Sequence, residues 1–252
     1  MLLRAFRPLA TGLLLTLGLA SLAQNGATTT APSQKNTASL SRYCINRAGT
    51  AVYSQPSFQA AVRQQLPVGQ AIRVAEVRPS SATCTIGPGL ALPGDWLRID
   101  LNGTPGYVFS SDVTARRPQV LRDSDGRAYV SLLGVEGRHR TLQQPGVSNH
   151  PGDKAEVTIT QFANGTYTYT AYDGCFDHVY VFTTLTLAEA YHQMINSHSA
   201  YENGKLRQPQ LSARKGKEIL FENKEVAGDA SQDLKLVIRP DKRIELRSYD
   251  CT

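Results

Sequence analysis

Asp95-Trp96-Leu97-Arg98-Ile99-Asp100-Leu101-Asn102-Gly103-Thr104-Pro105-Gly106-Tyr107-Val108-Phe109 decides the reading of this chain. Leu97, Ile99 and Leu101 share one face of an alternating run, and Trp96, Arg98 and Asp100 share the other, the period of a half-buried strand. Asn102-Gly103 closes a hairpin because both residues tolerate positive φ. The return strand puts Val108 inward and Tyr107 and Phe109 outward. Ala71 to Val77 alternates in the same way, with Ile72 and Val74 opposite Arg73. Short strands punctuated by turns at this spacing predict a small β-barrel or sandwich.

Apolar alternation runs from near Tyr43 to Val113, and Arg116-Arg117-Pro118 then marks a boundary. The first folded part is therefore expected over residues 42–115. It resembles the bacterial SH3 (SH3b) family. There a Trp-containing strand, a turn and a Gly-aromatic-Val strand lead into a Ser-rich 3-10 segment, as Asp95–Ile99, Asn102-Gly103 and Gly106-Tyr107-Val108-Phe109-Ser110-Ser111-Asp112-Val113 do here. Leu66-Pro67-Val68-Gly69-Gln70 is similar to the family's entry into its second strand, and Tyr43 to Ser57 would supply the first strand and the long loop after it. The likeness covers about residues 42–114. Two departures stand out. Cys44-Ile45-Asn46-Arg47-Ala48-Gly49 replaces the usual opening Asn-Val-Arg run, and Pro79 to Gly94 is longer than a simple hairpin needs. The resemblance implies recognition of peptidoglycan or its peptide crosslinks. Exposed aromatic faces with polar neighbours would carry such a site, which makes Tyr53, Asp95, Trp96, Arg98, Tyr107 and Phe109 the ligand-binding candidates. A structural role for Trp96, capping the barrel or packing on the second domain, is the competing reading.

The amino terminus has the three parts of a secretory leader: Arg4 and Arg7, an apolar run from Leu13 to Leu22, and the small residues Ser21 and Ala23. The run is shorter than the roughly 18 residues of a spanning helix. Residues 1–23 are thus expected to be a signal peptide, residues 24–41 a flexible polar linker, and the mature protein secreted or periplasmic, without stable membrane insertion. The whole chain carries 27 Lys+Arg against 21 Asp+Glu, a net +6. That mild surplus is spread along the sequence and suits anionic wall polymers or lipid headgroups. It lacks the concentrated basic stripe of a nucleic-acid binder.

Residues 118–252 are expected to form an α+β domain, an antiparallel sheet with one helix. Val120–Arg122 and Ala128–Leu133 flank the turn Asp123-Ser124-Asp125-Gly126. Glu156–Phe162 and Thr166–Thr170 flank Asn164-Gly165. Asp177–Thr183, Glu218–Phe221, Leu234–Ile238 and Arg243–Arg247 read as further strands. Thr186-Leu187-Ala188-Glu189 is a capping box opening a helix to about Ser197, with Leu187, Ala190, Tyr191, Met194 and Ile195 along one side. The fold class is mainly β: a small SH3-like barrel, then this α+β domain.

An even cysteine count in an exported chain reads as two disulfides, and four cysteines allow three connectivities. Two lie in each half, so pairing within halves gives Cys44–Cys84 and Cys175–Cys251. Cys175 in Gly174-Cys175-Phe176-Asp177-His178 is the natural position for a peptidase nucleophile. It leads into a strand rather than a helix and has Cys251 as a partner, so it reads as structural. The motifs of zinc peptidases, serine hydrolases and phosphate-binding loops are missing. No metal and no cofactor are expected. The leading expectation is an exported, non-enzymatic binding protein for a peptidoglycan or other wall-associated ligand, with an unknown protein partner for the second domain. A secreted wall or carbohydrate hydrolase with acids in the second domain, and a structural part of an envelope assembly, stay open beside it.

Overall fold

A computed structural model describes residues 40–145, 154–172, 174–222 and 232–251. The expected leader and the linker up to residue 39 lie outside them. The described residues belong to one compact unit. Among the described residues the fold is mainly β with antiparallel sheets and a single helix, as expected. No described helix is long and apolar enough to cross a membrane.

The amino-terminal part runs β1 (Leu40–Cys44), β2 (Thr50–Tyr53), β3 (Val62–Leu66), β4 (Ala71–Arg78), β5 (Thr83–Gly87), β6 (Leu90–Pro93), β7 (Trp96–Leu101), β8 (Thr104–Phe109), a 3-10 turn (Ser110–Asp112) and β9 (Val113–Thr114). Seven of these strands make one sheet in the order β3-β2-β8-β7-β4-β1-β9, and β5 and β6 pair apart as a hairpin. The Asn102-Gly103 turn is where the hairpin required it, at φ 53° and 84°. It sets Leu101 opposite Thr104 and Leu97 opposite Val108. Cys44, Val52, Leu66, Ile72, Val74, Leu97, Ile99, Val108 and Val113 bury together on the inner face. Gly106 is forced: a Cβ there would stand 2.5 Å from Val52 Cγ1.

The second part runs β10 (Gln119–Arg122), β11 (Ala128–Ser131), β12 (Glu136–Pro145), β13 (Lys154–Phe162), β14 (Gly165–Tyr172), β15 (Cys175–Phe182), α1 (Leu187–His198), β16 (Ala200–Glu202), β17 (Lys205–Arg207), β18 (Gln210–Lys215), β19 (Glu218–Glu222), β20 (Gln232–Ile238) and β21 (Ile244–Cys251). Its main sheet has eight strands in the order β12-β13-β14-β15-β21-β20-β19-β18. The helix begins as its sequence requires. Thr186 Oγ1 accepts from Glu189 N at 3.2 Å, and Glu189 Oε2 accepts from Thr186 N at 2.9 Å. Glu189 also receives the Thr114 hydroxyl at 2.5 Å, so the cap ties the helix to β9. Thr186→Ala is expected to cost about 1 kcal/mol of stability in urea unfolding, the usual loss for an N-cap side chain.

The largest core crosses the boundary expected at residues 116–118. Ile45, Leu90 and Leu92 from the first part bury with Val130, Leu132, Phe182, Met194, Ile195, Leu236 and Leu246 from the second. The long segment after β4 makes this possible, because its β5–β6 hairpin carries Leu90 and Leu92 across. Arg214 Nη1 donates to Gly89 O at 2.6 Å at the far end of the reach. The polar side of α1 is buried as well, and its two amide side chains are hydrogen-bonded. Asn196 accepts from Val130 N at 2.9 Å and donates to Ile45 O at 2.9 Å. Gln193 accepts from Leu132 N at 2.5 Å, and His192 Nε2 lies 3.3 Å from Asp112 Oδ1.

Arg47 finishes this seam. Its guanidinium donates to Asn196 O and Ser199 O, both at 2.7 Å, and to Asp123 Oδ2 at 3.1 Å, and it lies 5.3 Å from the Tyr129 ring centroid. The last carbonyls of a helix lack intrahelical donors and carry its negative pole, so a cation fits them.

The cysteine expectation is met in one half and corrected in the other. Cys175 and Cys251 stand opposite each other on β15 and β21 and form a disulfide across 76 residues of sequence. Cys44 and Cys84, expected to pair, are free thiols. Cys44 belongs to the inner core of the seven-stranded sheet, whereas Cys84 rides on the crossing hairpin and packs against other cores. Burial pushes the Cys44 thiol up to about 11 and raises that of Cys84. Both stay protonated and unreactive at neutral pH.

Candidate functional site

The outer face of the β7–β8 hairpin is not open. The loop after β2 folds back over it, closed by Ser54 N donating to Ala61 O at 2.9 Å and Ala60 N to Ser57 O at 3.1 Å. Phe58, at the loop's crest, drops its ring onto Trp96 at 4.9 Å and Phe109 at 4.8 Å between centroids. Tyr53 meets Trp96 edge-on at 5.4 Å, and Trp96 meets Phe109 at 5.1 Å. Edge-to-face and tilted pairs at such distances add to plain burial. Trp96, Tyr107 and Phe109 keep only 4%, 9% and 2% of their surface exposed. Their expected outward exposure is thereby corrected: these aromatics form a second small core under the loop.

Across from the loop, the segment Pro79–Ala82 is held by Asp95. Its Oδ1 accepts from Ser80 N at 3.0 Å, and its own N–H donates to Ser110 Oγ at 2.8 Å. Asp95 therefore shapes the site from below. Between loop and segment runs a groove of about 470 Å³ with Trp96 and Phe58 in its wall, Pro56 and Gln59 on one side, and Arg78 and Ser81 on the other.

Charge gathers at one end. Glu76 pairs with Arg98 at 2.9 Å and with Arg78 at 3.1 Å, and the Arg78 guanidinium lies 5.0 Å from the Tyr107 ring centroid. The Arg78 hydrogen bond holds the Glu76 carboxyl below its ordinary range. Of the six residues singled out from the sequence, Trp96 lines the groove. Tyr53 and Phe109 support it from within, Asp95 pins its far wall, Tyr107 lies under Arg78, and Arg98 is engaged with Glu76. Phe58 and Arg78 were missed. The available signal was one aromatic residue in the polar run Ser54-Gln55-Pro56-Ser57-Phe58-Gln59, because an isolated large apolar side chain in a loop has to be buried somewhere.

The second position weighed in the sequence is also resolved in space. Cys175 is bonded to Cys251 and carries no thiolate. His178 lies 2.8 Å from Asp250 Oδ1 and 2.7 Å from the Tyr167 hydroxyl, inside a cross-strand aromatic row in which Tyr167 and Tyr180 stack at 4.4 Å. Among the described residues no group of three or more His, Cys, Asp or Glu is placed to hold a metal ion. Comparison of the chain with family models, with curated proteins and with solved structures finds no match.

Proposed function

We propose that the chain is an exported, non-enzymatic binding protein that takes an extended peptide of the cell wall into the groove between the loop after β2 and the Pro79–Ala82 segment. The groove is the observation that carries the reading. A channel walled by aromatic rings and prolines, with a cation at one end, suits an extended chain of small residues ending in a carboxylate. Its place beside the strands that resemble the SH3b signature supports the same assignment. The rigid aromatic core beneath it keeps the site preformed, which lowers the ordering cost of binding.

The test is co-sedimentation of the oxidised chain, lacking residues 1–23, with purified peptidoglycan across a salt series. Saturable binding is expected to survive about 0.5 M salt, where screened surface charge has faded. Ser81→Trp, at an exposed position, is expected to plug the groove and weaken binding at least ~10-fold, a loss of about 1.4 kcal/mol, while the melting temperature holds. Binding erased by modest salt, or unchanged in Ser81→Trp, would remove the groove from consideration.

A further inference from the structure

A second cavity, of about 320 Å³, opens on the face of the eight-stranded sheet that carries Asp177, Val179, Arg247 and Tyr249. Tyr172, Asp233 and Lys235 complete its wall. The register explains why the place is unusual. Lys235 stands directly opposite Arg247 across β20 and β21, and like charges facing each other on neighbouring strands destabilise a sheet. Arg247 turns to Glu245 for a partner. Among the described residues Lys235 has no ion-pair partner, and neither has Asp233. One strand position along the same face, Asp177 lies opposite Tyr249 and accepts the Tyr172 hydroxyl at 3.2 Å. Folding alone gives no reason to set two cations together and two acids beside them around a hollow. Departures of this kind from local consistency concentrate where a ligand is bound.

We infer that this cavity binds a small zwitterion of the amino-acid or dipeptide class, with its carboxylate against Lys235 and Arg247 and its ammonium against Asp177 and Asp233. The carboxylate of such a ligand relieves the Lys235–Arg247 pair, and its ammonium meets the two acids on the same wall. Val179 and the tyrosine rings leave room for a small apolar side chain, and the volume lies at the low end of the span seen for small-molecule sites. A plain anion would satisfy the cations and leave the acids without a counter-charge, and a plain cation would do the reverse. The site is separate from the barrel groove and does not depend on that reading.

L-alanyl-L-alanine is the probe, titrated into the oxidised protein while the amides of Val179 and Tyr249 are followed by NMR. Saturable shifts in the millimolar range or tighter are expected. Acetate, methylammonium and inorganic phosphate, and the dipeptide with its amine acetylated, are each expected to bind at least ~10-fold more weakly. Lys235→Gln and Asp233→Asn are both expected to weaken the dipeptide by a similar factor without lowering the melting temperature. Ser81→Trp is expected to leave it unchanged, which separates this site from the groove. No saturable shift by about 10 mM, phosphate or acetate binding as well as the dipeptide, or undiminished binding in Lys235→Gln would overturn the inference.

Discussion

Arg47→Ala is expected to cost about 3 kcal/mol and to destabilise both sheets in one step. The side chain is 3% exposed, and its removal strips donors from two helix-end carbonyls and takes the ion-pair partner from Asp123 Oδ2. Losing one member of a buried charged network costs on this order, because the groups left behind are desolvated and unpaired. Arg47→Lys is expected to recover part of the loss. A single ammonium cannot repeat the three-way fork that reaches Asn196, Ser199 and Asp123. Trp96 is the chain's one tryptophan and sits in the first part, whereas the helix belongs to the second. Urea unfolding followed by tryptophan fluorescence, which reads the first part, and by far-ultraviolet circular dichroism, which reads the backbone of both, therefore tests whether the two parts unfold together. Coincident transitions, both shifted to lower urea in Arg47→Ala, are the expected result. Separate transitions in the unmutated protein would mean that the shared core does not couple them.

Removing the Cys175–Cys251 bond is expected to cost about 4.5 kcal/mol, the chain-entropy value for a closure of this length. The double replacement Cys175→Ser/Cys251→Ser and reduction of the unmutated protein should reach the same midpoint. That equality is the informative part. Cys44 and Cys84 are free, so reductant has nothing further to break. A reduced protein less stable than the double variant would establish a second disulfide, and the pairing read from the cysteine spacing would stand after all.

That pairing shows what sequence reading could and could not reach. Signals that act between near neighbours were legible. Asn102-Gly103 fixed a hairpin, Thr186 and Glu189 fixed a helix start, and the alternation of Leu97, Ile99 and Val108 fixed an inner face. Each depends on residues a few positions apart. Cys175–Cys251 followed because an even cysteine count left few choices. What failed depends on long-range placement. Trp96, Tyr107 and Phe109 do point away from the inner core, as their alternation required. Alternation says nothing of Phe58 arriving from a loop far upstream to cover them. The extra length between Pro79 and Gly94 was noticed, yet nothing local shows that Leu90 and Leu92 serve the core of the other sheet. The strand Glu136–Pro145 escaped notice because all ten of its residues are exposed, which leaves no apolar period to read. Lys235 and Arg247 were ordinary charges on two separate strands until the register set them face to face.

The position of β1 has a mechanical meaning. This strand lies between β4 and β9, antiparallel to both, with Leu40 to Tyr43 paired to β4 and Tyr43 and Cys44 paired to β9. A pull on the chain at Leu40 along the strand axis loads these ladders in shear. Their hydrogen bonds then resist together, instead of opening one after another as in a peeled hairpin. Just past the strand, Ile45 is anchored in the largest core and Arg47 is clamped to the end of the helix. Force applied to the chain at Leu40 would thus reach the fold through a strand paired on both sides.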